Sequence, residues 1–380
     1  MKSRLERNFF AQPRAEKSFS LQTSVVGEFA TGPIDHQLLF GVDLNRTNLD
    51  NLLGFDFFNS FPINIFDPAF EAFSRPDLEE LPVVIDADTE TDRLGIFIQD
   101  HISFTDNLIL LAGVRYDTVE QRRISEPSFL TPNSTETTQN DDALTPRVGL
   151  VYQPIEELSL YASYSRSFTP SLETDVEGNF FEPEEGEGFE VGVKAELLRG
   201  RLATTLAYFD ITKQNIVTAD PNLPFVSVAT GEQRSRGVEL DVIGEILPGW
   251  NIIASYAFID AEITEDNTFE VGNQLFNIPK HSASLWTTYK IQSGNFQGLG
   301  FGLGFNFVGE REGDLDNSFE VDSYFLTNAA LSYQRDNWRA ALNFRNLFDV
   351  DFISSAGGSR FGTNDPGEPF TVVVSFSMKF

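Results

Sequence analysis

The stretch that most constrains the fold is the last one. From Phe370 to Phe380 the even positions are Phe370, Val372, Val374, Phe376, Met378 and Phe380, and between them fall Thr371, Val373, Ser375, Ser377 and Lys379. A period of two puts the two sets on opposite faces of a strand. One face is wholly apolar and the other mostly small or polar. The same alternation recurs upstream. Phe19, Leu21, Val25 and Phe29 share one face, as do Leu38, Phe40, Val42 and Leu44. Phe301, Leu303, Phe305 and Phe307 oppose Gly302, Gly304 and Asn306. No run approaches the ~18 apolar residues that a membrane helix needs. Any crossing of a bilayer is therefore by strands.

Between the strands, short and long connections alternate. Thr31-Gly-Pro33, Thr105-Asp-Asn107, Pro154-Ile-Glu-Glu157, Leu198-Arg-Gly200, Leu247-Pro-Gly-Trp250 and Ser293-Gly-Asn295 read as tight turns. Between them come long polar stretches, from about Thr47 to Glu90, Ile124 to Asp141 and Thr169 to Gly188. This asymmetry predicts an all-β, antiparallel up-and-down transmembrane barrel, with tight turns at one end and long loops at the other. About fifteen strands of ~10 residues are expected, the length that crosses a bilayer at a tilt. The apolar stripes then face lipid, and Ser, Glu, Gly, Arg and Asn face the lumen. Tyr116, Tyr152, Trp250 and Trp338 fit an interfacial girdle; ordinary strand packing accounts for them equally well.

Composition narrows function. The chain has 380 residues, 37 Phe, no Cys and a formal net charge of -30. An acidic chain is a poor partner for nucleic acid, whose phosphates need Lys and Arg. The charge fits either a solvated surface or acidic external loops that bind divalent ions beside lipopolysaccharide. Without Cys there are no disulfides and no thiolate metal sites.

Little supports catalysis. His36, His101 and His281 are scattered over different strands, none at metal-ligand spacing to another, and no HExxH or Gly-x-Ser-x-Gly motif occurs. No catalytic residue, cofactor or metal site is assigned. Ligand contact has a better candidate. The long loop holds Phe55, Phe57, Phe58, Phe61 and Phe66, followed by Phe70 and Phe73. Such a loop can offer an aromatic surface to an organic ligand or pack on itself over the lumen. The cluster Asp175, Glu177, Glu182, Glu184, Glu185 and Glu187 has the oxygen ligands Ca²⁺ takes but lacks the EF-hand pattern, so a solvated loop is the default. Arg115, Arg147 and Arg345 fall on the expected lumen side, where pairing with carboxylates is their default role.

Several segments carry a family resemblance. Asn346-Leu-Phe-Asp349 before a loop and a terminal amphipathic strand ending in Phe resemble the C-terminus of a TonB-dependent outer-membrane receptor, ferrichrome-type siderophore receptors above all. Leu94-Gly-Ile-Phe-Ile-Gln-Asp-His-Ile102, Ala112-Gly-Val-Arg-Tyr-Asp117, Ser163-Tyr-Ser-Arg-Ser-Phe168, Arg236-Gly-Val-Glu-Leu-Asp241 and Pro279-Lys-His-Ser-Ala-Ser-Leu-Trp286 resemble the same family. The resemblance implies a barrel of about 22 strands around a plug. Residues 1–380 then correspond to the C-terminal part of that wall, incomplete and without the plug, the energy-coupling box and the early strands. It also implies uptake of a ferric siderophore across the outer membrane, with lipid and lipopolysaccharide around the wall. The TonB complex is a partner only if the missing N-terminal part is supplied, and the chain alone is expected not to transport actively. A passive porin-like channel and an inactive remnant are the alternatives. Met1-Lys-Ser-Arg-Leu-Glu-Arg-Asn-Phe-Phe10 has no apolar h-region and does not read as a secretory signal. A truncated product, a split gene or a mis-called start is expected.

Overall fold

The computed structural model describes residues 4–379, apart from 65, 68, 70–73, 75, 130–131, 221–222, 224–225, 230 and 360–363. Phe70, Phe73 and Phe380, singled out above, lie outside the described residues. Fifteen long strands form one antiparallel meander: β1 (Arg14–Thr31), β2 (Ile34–Phe55), β3 (Val83–Thr105), β4 (Leu108–Ser125), β5 (Thr135–Ile155), β6 (Leu158–Thr169), β7 (Glu184–Leu197), β8 (Leu202–Gln214), β9 (Glu232–Leu247), β10 (Trp250–Glu265), β11 (His281–Lys290), β12 (Leu299–Val308), β13 (Tyr324–Arg335), β14 (Trp338–Arg345) and β15 (Thr371–Met378). Each pairs with its neighbours in sequence, and Phe10–Ala11 adds a short sixteenth strand beside the end of β2. β1 pairs with β2 and β15 with β14; among the described residues no pairing joins β1 to β15.

Cross-strand register tests the two-faced reading directly. One continuous row of partners runs Leu108, Tyr152, Leu160, Val193, Leu206, Leu240, Tyr256, Ala283, Phe307 and Phe325. Nothing in it is charged, and most of its large side chains are exposed. The row one residue away runs Ser159, Lys194, Thr205, Asp241, Ser255, Ser284, Asn306 and Leu326. A wall apolar on one side and polar on the other suits lipid outside and water within. On β15 the outward set Val372, Val374, Phe376 and Met378 is exposed, as its alternation predicts.

The lumen is not uniformly polar. Phe97, Tyr161 and Trp286 point inward and reach over glycines of an adjacent strand, Trp286 over two of them. Cβ atoms at Gly41, Gly192 or Gly302 and Gly304 would overlap those rings. Ile243 and Ile253, partners across β9 and β10, also face inward and stay more than half exposed.

The strands outrun the expected ~10 residues, reaching 22 and 23 in β2 and β3. The stretch expected as loop from Thr47 to Glu90 is paired strand as far as Phe55 and again from Val83. The two later loops are likewise shorter than expected, because β4 and β5 stay paired between Ser125 and Thr135 and β7 begins at Glu184. The reason lies on the outer face. Above the apolar band the outward positions become a charged collar, and a strand that has left the hydrocarbon loses its hydropathy signal. Arg46 pairs with Asp92 there, Arg122 Nε with Glu136 at 2.8 Å, Arg166 with Glu187 at 3.3 Å, Arg234 Nε with Asp210 at 2.8 Å and Arg236 with Asp260 at 2.9 Å. These exposed pairs, screened by water, contribute little to stability. Their larger effect is to mark where the bilayer ends.

Substituting Leu206→Arg on the outer row should destabilise the folded wall by about 2–4 kcal/mol. Thr205→Arg, its lumen-facing neighbour, should cost far less. Urea titration of both variants in lipid vesicles checks this, and equal losses would contradict the assignment of faces.

Candidate functional site at the long-loop end

Seven short turns close one end of the sheet and seven longer connections the other. Two of the turns show why their residues are needed. Leu198, Arg199 and Gly200 all take positive φ, and Asp336 does so at the β13–β14 turn. The long connections gather into two bodies.

The first body is internally packed. Ile263, Phe269 and Leu315 are buried together, with Leu275 and Phe276 against them. Asn273 Nδ2 donates to Leu315 O at 2.8 Å, and Asn317 exchanges hydrogen bonds with the backbone of Gln274. Asn277 brackets Ala356, donating to its carbonyl and accepting from its N–H, both at 2.7 Å. The Asn346-Leu-Phe-Asp349 element staples this body to the wall. Asn346 is 3% exposed and takes a positive φ, which suits Asn better than most residues. Its amide donates to Val350 O and Glu368 O, and its carbonyl accepts from Val350 N, all between 2.9 and 3.0 Å. Asp349 Oδ1 accepts from Phe370 N, setting the entry to β15.

The second body holds the sequence-predicted aromatic residues. Phe55 ends β2 and lies 4.8 Å from Phe57 between ring centroids. Phe57 stacks on Phe129 at 4.9 Å, and Phe58 meets Phe129 edge-on at 6.0 Å. Phe58 is 72% exposed and Phe129 54%, so the cluster offers ring surface outward. Phe61 is drawn aside, edge-on to Phe9 at 4.5 Å. Phe66 is 71% exposed. Among the described residues, three of the five candidates make ring contacts within one platform and Phe61 makes one with Phe9.

Phe129 and Phe9 were missed from sequence. Phe129 is carried in by backbone pairing, its N–H donating to Val83 O at 2.7 Å beside Glu126 N to Asp86 O at 2.8 Å. A single aromatic in a polar hairpin loop was the available signal. Phe9 arrives on the segment before β1, which crosses this loop: Phe61 N donates to Arg7 O, and Arg4–Leu5 pairs with Ile63–Asn64.

The other candidates disperse. Asp175 serves its own loop, accepting from Glu177 N at 2.8 Å and Asn179 N at 2.9 Å. Among the described residues no group of three or more His, Cys, Asp or Glu is placed to hold a metal ion. His36 accepts or donates between Thr31 and Asp100 at the short-turn end, and His281 bonds Tyr256 on the outer face. Arg115 joins Asp43 and Asp117 in the lumen with contacts from 2.6 to 2.9 Å, and Arg345 reaches Glu368 at 3.5 Å. Arg147 stands exposed, with no carboxylate within ion-pair distance among the described residues.

A two-faced open wall with tight turns at one end and built loops at the other invites comparison with known receptors. The family model for the TonB dependent receptor-like β-barrel matches residues 4–347. The chain belongs to the TonB-dependent receptor β-barrel family. The family is one of receptors and not of enzymes, and it places the wall in the outer membrane. The chain is 35% identical over 371 residues to the metal-pseudopaline receptor of Pseudomonas aeruginosa, covering 94% of this chain and 51% of that protein. It is 34% identical over 361 residues to the ferrichrome outer membrane transporter/phage receptor of Escherichia coli, covering 92% and 47%. Its fold is similar to the siderophore receptor PiuA from Acinetobacter baumannii, with a TM-score of 0.84, 25% identity and coverage of 97% and 56%. The chain spans about half the length of the curated relatives it matches.

Asp56, at the root of the platform, supplies a pH test. The Asn59 side-chain amide, helped by the backbone N–H groups of Asn59 and Phe58, outweighs desolvation and holds its carboxyl below the usual carboxylate range. A depressed folded value stabilises the loop fully above the ordinary value and loses that effect as pH falls through the depressed one. A Phe58→Trp reporter should therefore keep its emission from neutral pH into the ordinary carboxylate range and shift only below it. Adding Asp56→Asn should abolish that transition.

Proposed function

We propose that these residues form part of the wall and outer loops of a receptor that takes up a ferric siderophore in a TonB-dependent way. The observation that carries the reading is the ring cluster of Phe57, Phe58 and Phe129 at the long-loop end, with Phe58 and Phe129 mostly exposed. The organic periphery of a siderophore is a suitable partner for such rings, which combine large apolar area with defined stacking geometry. The loop end is thus the ligand's entry, and Phe55, Phe57 and Phe58 are its first contacts; Phe61 and Phe66 flank them.

Two features support dependence on further protein. Backbone groups at the free edges of β1 and β15 cannot stay unpaired in hydrocarbon. Strands beyond these fifteen, on the same polypeptide or another, complete the wall. Ile243 and Ile253 leave apolar surface toward the bore, which a plug domain would cover. On this reading the fifteen strands alone do not transport actively, and the TonB complex acts through parts outside them. Lipopolysaccharide meets the wall at the collar, where carboxylates such as Glu90 and Glu262 stand beside Arg46 and Arg236.

A chimera tests this: residues 1–380 joined behind the plug and early strands of the ferrichrome transporter, expressed in iron-starved cells lacking their own receptors. The chimera should support uptake of ferrichrome or a ferric tricatecholate, and this chain alone should support neither. Phe57→Ala and Phe129→Ala in the chimera should each weaken chelate binding by about 2- to 12-fold, the worth of one aromatic pair. Uptake by the chain alone, or unchanged binding in both variants, would sink the proposal. A steady large conductance of the chimera in planar bilayers would favour a passive pore instead.

A further inference from the structure

Phe55, Phe57 and Phe58 lie at the end of β2 and just beyond it, Phe129 comes from the β4–β5 connection, and Phe58 and Phe129 are mostly exposed. Leu53, Ile63, Leu81 and Val84 are buried on the β2–β3 hairpin, but burial does not set the direction of rings that stay mostly exposed. The carboxylate of Asp56 is the candidate, because it sits between Phe55 and Phe57 and is 6% exposed. A carboxylate so buried is tolerated only when its oxygens are hydrogen-bonded.

Its partners are all local. Oδ1 accepts from Phe58 N at 3.1 Å and from Asn59 N at 3.0 Å, and both carboxylate oxygens accept from Asn59 Nδ2. This is an Asx-type turn, in which the side chain replaces a backbone acceptor and folds the next residues back over itself. The backbone of Asp56 is fixed as well. Its N–H donates to Phe9 O at 2.9 Å, and its carbonyl accepts from Asn8 Nδ2 at 2.8 Å. Asn8 Nδ2 also reaches Asn59 O at 3.2 Å, and Ser60 Oγ donates to Glu6. Residues 6–10 thus lie behind the turn as a strap, gripping it at Asp56, Asn59, Ser60 and Phe61.

We infer that Asp56 is the positioning residue of the aromatic platform, with the segment Glu6–Phe10 as its backing, so that Phe57 and Phe58 are presented on Phe129 before any ligand arrives. The inference rests on the platform being the ligand contact. The reason for it is geometric. With the backbone of Asp56 held from behind and the N–H groups of residues 58 and 59 drawn onto its side chain, Phe57 and Phe58 are directed away from the strap. Preorganisation of this kind spares the ligand the ordering cost of four rings.

The test uses no ligand, so its outcome is separate from that of the proposed function. The chain contains no Cys, and Phe58→Cys with Phe129→Cys creates a single thiol pair. A short bifunctional methanethiosulfonate reagent then reports how often the two positions meet. Asp56→Ala should slow this cross-link by at least about tenfold, since it leaves the Phe58 and Asn59 N–H groups without their acceptor. Asp56→Asn, which keeps one oxygen in place, should restore most of the rate, and Asn8→Ala should fall between. A native cross-linking rate in Asp56→Ala overturns the inference, as does equal loss in Asp56→Ala and Asp56→Asn. If Phe57→Ala still weakens chelate binding while Asp56→Ala cross-links normally, only the positioning role falls.

Discussion

Hydrogen bonding of the backbone decides most of this structure. A peptide group in hydrocarbon has no water to turn to, so every N–H and C=O at bilayer depth must be met by a neighbouring strand. The meander from β1 to β15 satisfies this by pairing each strand with the one before and the one after. The same requirement exposes where the arrangement ends. All eighteen residues of β1 are exposed, whichever face they occupy, because among the described residues it pairs only with β2. An exposed edge of that length is a template for another strand. In a membrane it is an obligation rather than a hazard.

Once pairing is fixed, side-chain chemistry sets the height of the wall in the bilayer. The apolar rows give way toward the loops to the Arg and carboxylate collar, while Trp250 and the Trp338, Tyr333 and Phe376 group lie at the turn end. A strand of 22 residues extends about 70 Å along its length, against a hydrocarbon core of about 30 Å. Even with a steep tilt, β2 and β3 must project well beyond the outer surface. That projection is useful. It carries Phe55 outward on paired strand, with one register shift at Leu53 and Gly54, before the connection that bears Phe57 and Phe58 begins.

The two faces were legible in the sequence because a period of two leaves no ambiguity once the outside is lipid. The sequence stretch Phe370 to Met378 places its side chains as read, and so does Phe301 to Phe307. Strand ends were not legible. Asn48, Asp50 and Asn51 look like loop residues, yet they pair with Glu90, Asp88 and Ala87 in unbroken register. Outside the hydrocarbon both faces meet water, and alternation of hydropathy disappears while the hydrogen bonds continue. The aromatic site was half legible for a related reason. Phe55, Phe57 and Phe58 are neighbours in sequence, but Phe129 and Phe9 reach the same place through main-chain contacts across long sequence separations, which carry no side-chain signature. The inward placement of Ile243 and Ile253 was hidden because their stretch of β9 and β10 has apolar residues on both faces, which blurs the period-two signal.

The loop end therefore contains two bodies held by different means. One has a buried apolar cluster, reciprocal Asn hydrogen bonds and the Asn346 staple, so its local opening must break several contacts at once. In the other, among the described residues, the Asp56 carboxylate, the strap of residues 6–10 and the ring contacts with Phe129 hold rings of which two stay mostly exposed. The first body holds the tips of β10 to β15 together, while on the proposed reading the second presents its rings to the ligand.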